Sequence, residues 1–462
     1  MLAPEQSSAP VQQSVSFGEA LKFWLRLGFI SFGGPAGQIA IMHRALVEEK
    51  RWISEKRFLH ALNYCMLLPG PEAQQLATYL GWLMHRTWGG VAAGALFVLP
   101  SLFILVALSW TYVAFGQVPW VAGLLYGIKP AVAAIVVQAV HRMGSKILKN
   151  PAKAPVLSAV TAISFIAIYF YAVPFPWVVF AAGAIGWLGA RWVPGQFAVG
   201  GSGHGAGAAS AESGGYVIDD DTPTPAHARF TPARLARVLA AGAALWLLPM
   251  GALVVWQGWD ATLAQMAWFF TKAALMTFGG AYAVLPYVFQ GAVEHFGWLS
   301  TLQMMDGLAL GETTPGPLIM VVAYVGFLGG YQHEVLGPDA LFWGAALAAT
   351  VVTWFTFLPS FLFILAGGPL VESTHGKLQF TAPLAAISAA VVGVVASLAL
   401  FFIAHMAIKT PTTALWDSRI DWIAVSIAAA AAVALLRFKQ GVMPVLLFCA
   451  LAGWAVRAAG WA

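Results

Sequence analysis

Charged residues are scarce in this chain. Asp, Glu, Lys and Arg together make up only 9% of the 462 residues, whereas hydrophobic residues make up 60%. An ordinary soluble domain carries roughly a quarter charged residues, so this chain lacks the polar surface that a soluble fold of its size needs. The composition therefore excludes an ordinary soluble domain and indicates an integral membrane protein.

Cysteine is rare, and the common catalytic signatures are missing. Cys65 and Cys449 stand far apart in apolar segments, which favours buried thiols over a disulfide or a metal site. The sequence has no HExxH, no CxxC and no GxxxxGKS or GxxxxGKT phosphate loop, and its one Gly-Lys pair, Gly376-Lys377, is followed by Leu378. We therefore expect no metal, no cofactor and no enzymatic activity, including no ATPase activity of the chain itself.

Long apolar stretches are plentiful. A bilayer core about 30 Å thick needs about 20 apolar residues as a helix, and eight stretches reach or approach this length. They are Val91–Phe115, Pro155–Tyr171, Pro176–Trp192, Leu235–Trp256, Leu341–Ala366, Pro383–Met406, Trp422–Leu436 and Val442–Val456. The first 16 residues are polar, so we expect no cleaved signal peptide. The pattern predicts an all-α, multi-pass membrane protein.

Residues 195–233 break the apolar pattern. They are rich in Gly, Ala and Ser and contain Asp219-Asp220-Asp221, a composition typical of a flexible linker. We expect the acidic residues and His204 to be solvated. The predicted division is a polar tail at 1–16, a first transporter repeat at 17–194, the linker at 195–233 and a second repeat at 234–462 that starts with a connecting helix, 235–256.

The two sides of this linker resemble each other. Three signatures recur at a constant offset of 246 residues (278 − 32, 298 − 52, 315 − 69). They are Phe32-Gly33-Gly34 with Phe278-Gly279-Gly280, Trp52-Ile53-Ser54 with Trp298-Leu299-Ser300, and Pro69-Gly70-Pro71 with Pro315-Gly316-Pro317. Farther on, Leu99-Pro100-Ser101 matches Leu358-Pro359-Ser360 at an offset of 259 (358 − 99). Chance would not place three Gly, Pro and Trp signatures at one offset, so we infer an internal duplication.

Loop charges orient the halves. The loop after the first FGG holds five basic residues, and the matched loop, Gln290–Gln303, holds no Lys or Arg. The five are Arg44, Lys50, Arg51, Lys56 and Arg57. Because positive loops stay cytoplasmic, matched loops face opposite sides, which is typical of an inverted-topology repeat. We expect the N-terminus and the linker in the cytoplasm and the C-terminus in the periplasm. This topology accounts for the net charge of +5, so no nucleic acid partner is expected.

The same charges predict re-entrant helices. Phe23–Val47 and Phe58–Met84 are broken in the middle by FGGP and PGP. A single crossing by each would place the five-cation loop outside while the neighbouring basic residues stayed inside. We therefore expect two broken, re-entrant hairpins and four full spans in each half, plus one connecting span. Thirteen plain crossings would give the same ends and remain the alternative.

Arg26 and Lys272 form the first candidate site. They are matched residues (272 − 26 = 246), and each stands shortly before an FGG. A cation within the bilayer is unfavourable by about 2.5–3.5 kcal/mol on insertion scales, so such residues usually face a pathway. Two cations related by a twofold axis would suit a dianion at the midplane. The alternative is that each side chain reaches lipid phosphates near the surface.

The FGG and PGP breaks form the second candidate. Half-helices that start at such breaks direct free N–H groups at an anion. The alternative is a plain kink for packing. The substrate-binding candidates are Arg26, Lys272, Phe32, Gly33, Gly34, Gly70, Gln74, Gln75, Phe278, Gly279, Gly280, Thr313, Thr314 and Gly316. Glu72 and Glu312 are candidates for proton coupling, or each is tied to a nearby backbone group or to Arg26. Lys129 and His43 are weaker candidates, and Lys129 is expected to anchor the outer end of a helix that begins at Pro130.

These motifs resemble those of the chromate ion transporter family in its long, two-domain form. The resemblance rests on FGGP at 32–35, LPGPEAQQ at 68–75 and GETTPGP at 311–317, and it covers nearly the whole chain outside the linker. The second FGG departs from the pattern, because Ala281 stands where the first has Pro35. The resemblance implies export of chromate from the bacterial cytoplasm across the inner membrane, and with it chromate resistance.

The energy source and the substrate follow in outline. A potential that is negative inside contributes about 2.3 kcal/mol per charge per 100 mV to the exit of an anion, so export can be driven by the potential, by proton exchange or by both. Sulfate or another small oxyanion is the alternative substrate, because sulfate shares the charge and shape of chromate. A membrane-embedded enzyme is the alternative from another class. A homodimer is compatible with the sequence.

Overall fold

The computed structural model describes residues 15–32, 34–148, 154–193, 197, 215–220, 222–223, 225–373, 381–408 and 420–460. Over these ranges the chain is built from helices. In the first half they are α1 (Phe17–Ile30), α2 (Gly34–His43), α3 (Glu55–Cys65), α4 (Glu72–Phe115), α5 (Pro119–Ile147), α6 (Pro155–Tyr171) and α7 (Phe175–Trp192).

The helices of the second half follow in chain order. They are α8 (Pro232–Gln257), α9 (Thr262–Leu275), α10 (Leu285–Phe289), α11 (Thr301–Thr313), α12 (Val321–Gln332), α13 (Leu341–Ser373), α14 (Thr381–Ala407), α15 (Trp422–Leu436) and α16 (Val442–Ala458). Short single turns lie between several of them, at Ala281–Val284, Leu318–Met320 and Pro338–Ala340.

Several helices suit a bilayer. Within the described ranges, five segments are long and apolar enough to cross a membrane: α4, α5, α8, Pro338–Glu372 and Ala382–Ala407. Large apolar side chains such as Phe170, Trp177 and Trp192 are exposed on the outside of the helices. A soluble monomer rarely exposes so much apolar surface, so the fold is that of an integral membrane protein, as the composition predicted.

The predicted spans agree well with the helices. Pro155–Tyr171 and Trp422–Leu436 coincide with α6 and α15, and Leu341–Ala366 lies within α13. Helix α5 was not among the predicted stretches, because Lys129 and Pro130 interrupt its apolar run. The expectation that a helix begins at Pro130 is wrong: the helix starts at Pro119 and continues through Pro130.

Helix α4 folds back on itself. His85 and Arg86 have non-helical backbone angles, and Arg86 has a φ of +57°. The two arms then pack so closely that a Cβ on Gly81 would lie 2.5 Å from the carbonyl oxygen of Gly89. The first arm is therefore separate from the apolar second arm, as the sequence predicted by ending one segment at Met84 and starting the next span at Val91.

Helices α12 and α13 repeat this hairpin. A Cβ on Gly326 would lie 2.9 Å from the carbonyl oxygen of Ala348, so these arms also pack at backbone distance. Their connection, residues 333–340, is longer than the turn at His85-Arg86. This difference lies where the offset between the halves changes from 246 to 259, so the longer connection supplies part of the change.

Local backbone features recur at the offset of 246. Arg44–Glu49 and Gln290–His295 both form a π-helical turn, and the bounds differ by 246 residues (290 − 44). Ser54 and Ser300 both cap the next helix through their side chains. The sequence match thus extends to details of backbone conformation that the signatures themselves do not contain.

The buried side chains form two clusters. One cluster contains residues of α1, α2, α3 and α4, including Trp24 and Phe58, together with Ile364 of α13. The other cluster fills the remaining helices and includes Phe270 and Phe402. Helix α4 also packs on α13, and this contact brings the two halves together at the centre of the fold.

Part of the linker is docked on the first half. The N–H of Ile218 donates to Trp52 O (2.9 Å), and the N–H of Ser54 donates to Ile218 O (3.0 Å). The hydroxyl of Ser54 donates to a carboxylate oxygen of Asp220 at 2.6 Å. The expectation that the acidic residues are only solvated is thus wrong for Asp220. His204 and most of residues 195–214 lie outside the described residues.

Candidate functional site

The helices break at the motifs that the sequence singled out. Helix α1 ends at Ile30, before the first FGG, and α3 ends at Cys65, before the first PGP. In the second half, α9 ends at Leu275 and α11 ends at Thr313. Each break leaves backbone N–H and C=O groups outside the helix hydrogen bonds, and these groups need other partners.

The breaks of one half bind the breaks of the other. The N–H of Gly70, in the first PGP, donates to Thr277 O at 2.7 Å, next to the second FGG. The N–H of Gly316, in the second PGP, donates to Ser31 O at 2.8 Å, next to the first FGG. Donors and acceptors are both matched at the same offset (316 − 70 = 246; 277 − 31 = 246), so the two bonds form a reciprocal pair.

The helices that supply these acceptors end in the same way. The Ser31 hydroxyl donates to Leu27 O (2.6 Å), and the Thr277 hydroxyl donates to Ala273 O (2.7 Å). Both bonds span four residues back along the helix, a common way for a helical hydroxyl to be satisfied. The two side chains therefore fix the helix ends whose carbonyl groups accept the hydrogen bonds from Gly316 and Gly70.

Only glycine fits the two donor positions. Gly70 and Gly316 have φ angles of +127° and +103°, which are unfavourable for residues with a side chain. A Cβ on Gly70 would lie 2.4 Å from Ser360 Oγ, and a Cβ on Gly316 would lie 2.8 Å from Ser101 Cβ. Each glycine thus faces a serine of the opposite half, and these serines are the matched residues of the two LPS signatures.

Three buried glutamines surround the breaks. Gln38 Nε2 donates to Gly316 O at 2.5 Å, Gln75 Nε2 donates to Pro69 O at 2.8 Å, and Gln74 Nε2 donates to Thr78 Oγ1 at 3.0 Å. Gln74 and Gln75 were predicted as site residues. Gln38 was missed, although its place three residues after the FGGP motif was a signal that the same half-helix reasoning could have used.

Several polar atoms at the breaks remain without partners. The hydroxyls of Ser101 and Ser360 and the amide oxygens of Gln38, Gln74 and Gln75 are buried and have no hydrogen-bond partner among the described residues. Buried polar groups are nearly always paired. A concentration of unpaired polar groups where the helices are interrupted therefore indicates a place where a polar ligand or water is bound.

The two candidate carboxylates have different surroundings. Glu72 is the first residue of α4 and is partly buried. Glu312 accepts a hydrogen bond from the hydroxyl of Tyr282, a residue that the sequence did not single out. The hydroxyls of Thr313 and Thr314 both donate to Leu310 O, at 3.0 and 2.6 Å, so their protons are already used within α11.

The two candidate cations differ in their exposure. Arg26 is exposed on α1, together with Leu25 and Phe29. Lys272 Nζ is partly buried on α9 and lies 5.6 Å from the ring centre of Trp268. Neither cation is among the atoms that lie nearest to the Cβ positions of Gly70 and Gly316.

The remaining candidates belong to the FGG motifs. Phe32 is exposed, Phe278 is partly buried, and Gly279 and Gly280 have φ angles of +79° and +102°. Gly34 has a φ of +72°. Gly33 lies outside the described residues. The described glycines thus adopt backbone conformations that are unfavourable for residues with a side chain.

One ion pair joins the halves at the end of α13. Arg57 Nη1 lies 2.9 Å from Glu372 Oε2, and the carboxylate side chain is only 3% exposed. The hydroxyl of Tyr79 also donates to Glu372. The sequence analysis placed Arg57 in a basic loop that was expected to be cytoplasmic, and it did not name Glu372. An acidic residue at the end of a long apolar span was the signal that could have found it.

A second ion pair lies between α5 and α11. Lys129 Nζ lies 3.7 Å from Asp306 Oδ2, whose side chain is 2% exposed. The hydroxyl of Tyr112 donates to the same oxygen at 3.0 Å. Lys129 was expected to anchor a helix at the membrane surface. It instead faces a buried carboxylate of the second half, and Asp306 was not predicted as a functional residue.

Broken helices that meet at a buried polar centre, within a bundle of apolar helices, point to a class of protein: many membrane transporters build their substrate sites in this way. The family model described as "Chromate transporter" matches this chain twice, at residues 18–187 and 264–454. The chain therefore belongs to the chromate transporter family, as the motifs indicated.

Curated relatives extend over most of the chain. A chromate transport protein of Pseudomonas aeruginosa is 32% identical over 461 residues, which are 98% of this chain and 96% of the relative. A chromate transport protein of Cupriavidus metallidurans is 30% identical, over 86% of this chain and 85% of the relative. A probable chromate transport protein of Synechococcus elongatus is 29% identical, over 79% of each chain. No solved structure gives a significant match.

Proposed function

We propose that this protein is a secondary active transporter that exports chromate from the cytoplasm across the inner membrane and so confers chromate resistance. The observation that carries the proposal is the reciprocal pair of hydrogen bonds, Gly70 to Thr277 and Gly316 to Ser31, which joins the breaks of two matched halves. Sequence similarity to chromate transport proteins over nearly the whole chain supports chromate as the substrate. Sulfate or another small oxyanion is the second candidate, because these anions have similar charge and shape.

The proposal includes an inverted repeat with re-entrant helices. Reciprocal contacts between matched residues support a twofold relation between the halves, and the opposite loop charges support its inverted sense. Helices α1, α2 and α3 contain 14, 10 and 11 residues. At about 1.5 Å per residue each is shorter than the bilayer core of about 30 Å, which supports entry and return on one side. The N-terminus and linker are then cytoplasmic and the C-terminus is periplasmic.

The driving force is electrical, with proton exchange as an added component. The membrane potential contributes about 2.3 kcal/mol per charge per 100 mV, so a dianion that leaves a negative cytoplasm gains about twice this amount. Glu72 and Glu312 are the proposed proton carriers. Arg26 and Lys272 are proposed to attract the anion at the two openings of the pathway rather than to bind it at the PGP breaks.

Inside-out membrane vesicles provide the test. Vesicles that contain the protein should accumulate chromate when a potential or a proton gradient is imposed, and separate dissipation of each gradient identifies the coupling. Arg26→Ala and Lys272→Ala should lose most of this uptake. Lys22→Ala is the matched control, since Lys22 is an exposed cation on the same helix as Arg26. Wild-type vesicles that contain the protein but take up no chromate would refute chromate export, whereas retained uptake in both variants would refute only the role of the two cations.

A further inference from the structure

Two serines occupy matched positions beside the breaks. Ser101 lies in α4 and Ser360 lies in α13, each as the last residue of an LPS signature, and each is 1% exposed. Their hydroxyls have no hydrogen-bond partner among the described residues. Other buried helical hydroxyls here, such as those of Thr353 and Thr356, donate to a carbonyl four residues back. The two serine hydroxyls therefore do not donate to a carbonyl of their own helix, as buried helical hydroxyls usually do.

Each free hydroxyl lies against the break of the other half. Ser360 Oγ and Gln75 Nε2 lie 2.4 and 2.6 Å from the point that a Cβ on Gly70 would occupy. Ser101 Oγ lies 3.2 Å from the corresponding point at Gly316. Gly70 precedes the first arm of α4 by two residues, so the Ser360 hydroxyl is close to the positive end of that helical arm. An anion is favoured there and a cation is not.

The chemistry of the two positions selects an oxyanion. A hydroxyl donates one hydrogen bond, and these two donors come from two different helices, so a ligand that accepts from both needs acceptor atoms in more than one direction. A tetrahedral oxyanion has four such oxygen atoms. We propose that Ser101 and Ser360 donate hydrogen bonds to the transported oxyanion, one at each PGP break. This inference rests on the proposed transport function and names residues of its binding site.

The size of the effect follows from the kind of bond. A hydrogen bond to a charged group contributes enough binding free energy that its loss weakens binding by about tenfold to a hundredfold. Ser101→Ala and Ser360→Ala should each raise the Kd for chromate by this factor. The substitutions remove an unpaired buried hydroxyl, so the melting temperature without anion should stay the same or rise.

Ser109→Ala is the matched control. Ser109 lies on α4, is fully buried, and has a hydroxyl without a partner among the described residues, but it is not a near neighbour of either PGP glycine. The experiment measures the rise in melting temperature of the purified full-length protein as chromate is added, for the wild type and the three variants. We expect Ser109→Ala to bind like the wild type. Wild-type affinity in both test variants, or equal losses in all three, would overturn the inference.

The same titration separates this inference from the proposed function. If sulfate, molybdate or phosphate stabilises the wild type and chromate does not, chromate fails as the substrate. The serine variants, titrated with the anion that binds, then still decide the inference: weaker binding in Ser101→Ala and Ser360→Ala supports it, and unchanged binding refutes it. If no tetrahedral oxyanion stabilises the wild type, both proposals are wrong.

Discussion

Gly316→Ala is a sharp test of the reciprocal pair of hydrogen bonds between the breaks. The substitution keeps the N–H that donates to Ser31, but it adds a Cβ at a residue with a φ of +103°. That Cβ would lie 2.8 Å from Ser101 Cβ and 3.4 Å from Phe97 O. Because both neighbours belong to the α4 helix rather than to a mobile side-chain end, the alanine can be accommodated only if the break moves away from α4.

The expected destabilisation has two parts. A side chain in this region of backbone conformation is unfavourable by about 1–3 kcal/mol, and overpacking of a closely packed site adds about 1–3 kcal/mol. Gly280 separates the parts, because its φ is +102° and a Cβ there would meet nothing within 4 Å. Gly316→Ala should therefore destabilise the protein by about 1–3 kcal/mol more than Gly280→Ala.

The assay compares melting temperatures of the purified variants at one heating rate, because unfolding of membrane proteins is often irreversible. The expected order is wild type, then Gly280→Ala, then Gly316→Ala. Ser101→Gly removes the Cβ that the new methyl group meets, so the double variant should recover part of the loss relative to the additive expectation. A Gly316→Ala protein that melts at or above Gly280→Ala would refute the close approach of the break and α4.

Two further predictions concern residues that the proposed topology places near the cytoplasm. Arg57→Ala leaves the buried Glu372 without its cation and should destabilise the protein by about 3–5 kcal/mol, whereas Arg44→Ala, from an ion pair with side chains 74% and 58% exposed, should change stability by about 1 kcal/mol or less. Burial lowers the pKa of His227, which lies 3.0 Å from Trp82 O. The unfolded chain then binds the proton more readily, so stability should fall as the pH drops below about 6.5.

Melting temperatures check both predictions. Equal losses in Arg57→Ala and Arg44→Ala would contradict the buried ion pair. For His227, the wild type is compared with His227→Gln at about pH 7.5 and about pH 5.5, on either side of the ordinary histidine pKa. The glutamine variant should show the smaller change between the two pH values. An unchanged pH dependence would mean that another group titrates.

The sequence predicted the features that depend on local chemistry. FGG and PGP indicated the ends of α1 and α3, because glycine and proline change the backbone conformations that the chain can adopt. The constant offset of 246 residues indicated matched halves, and the matched π-helical turns agree with it. Apolar length alone predicted α6 and α15 to the residue.

Long-range partners could not be predicted in this way. Arg57 and Glu372 are 315 residues apart, and neither residue type nor spacing identifies one as the partner of the other. In the sequence, nothing distinguishes Asp220 from other acidic residues of a polar linker, and only the structure places it beside Ser54. Ser101 and Ser360 were visible as a matched pair, but only the structure brings each to a glycine of the opposite half. These contacts depend on the arrangement of the helices, which a single sequence does not specify.

The reciprocal pair of hydrogen bonds also has a consequence for biosynthesis. Gly70 donates to Thr277 O, and Thr277 is made 207 residues later (277 − 70). At about 5–20 residues per second, the acceptor leaves the ribosome about 10–40 s after the donor. During that interval the N–H of Gly70 lacks the acceptor that it has in the folded protein. A chain truncated within the linker never gains this acceptor, so we expect the first half made alone to be less stable than it is in the full chain.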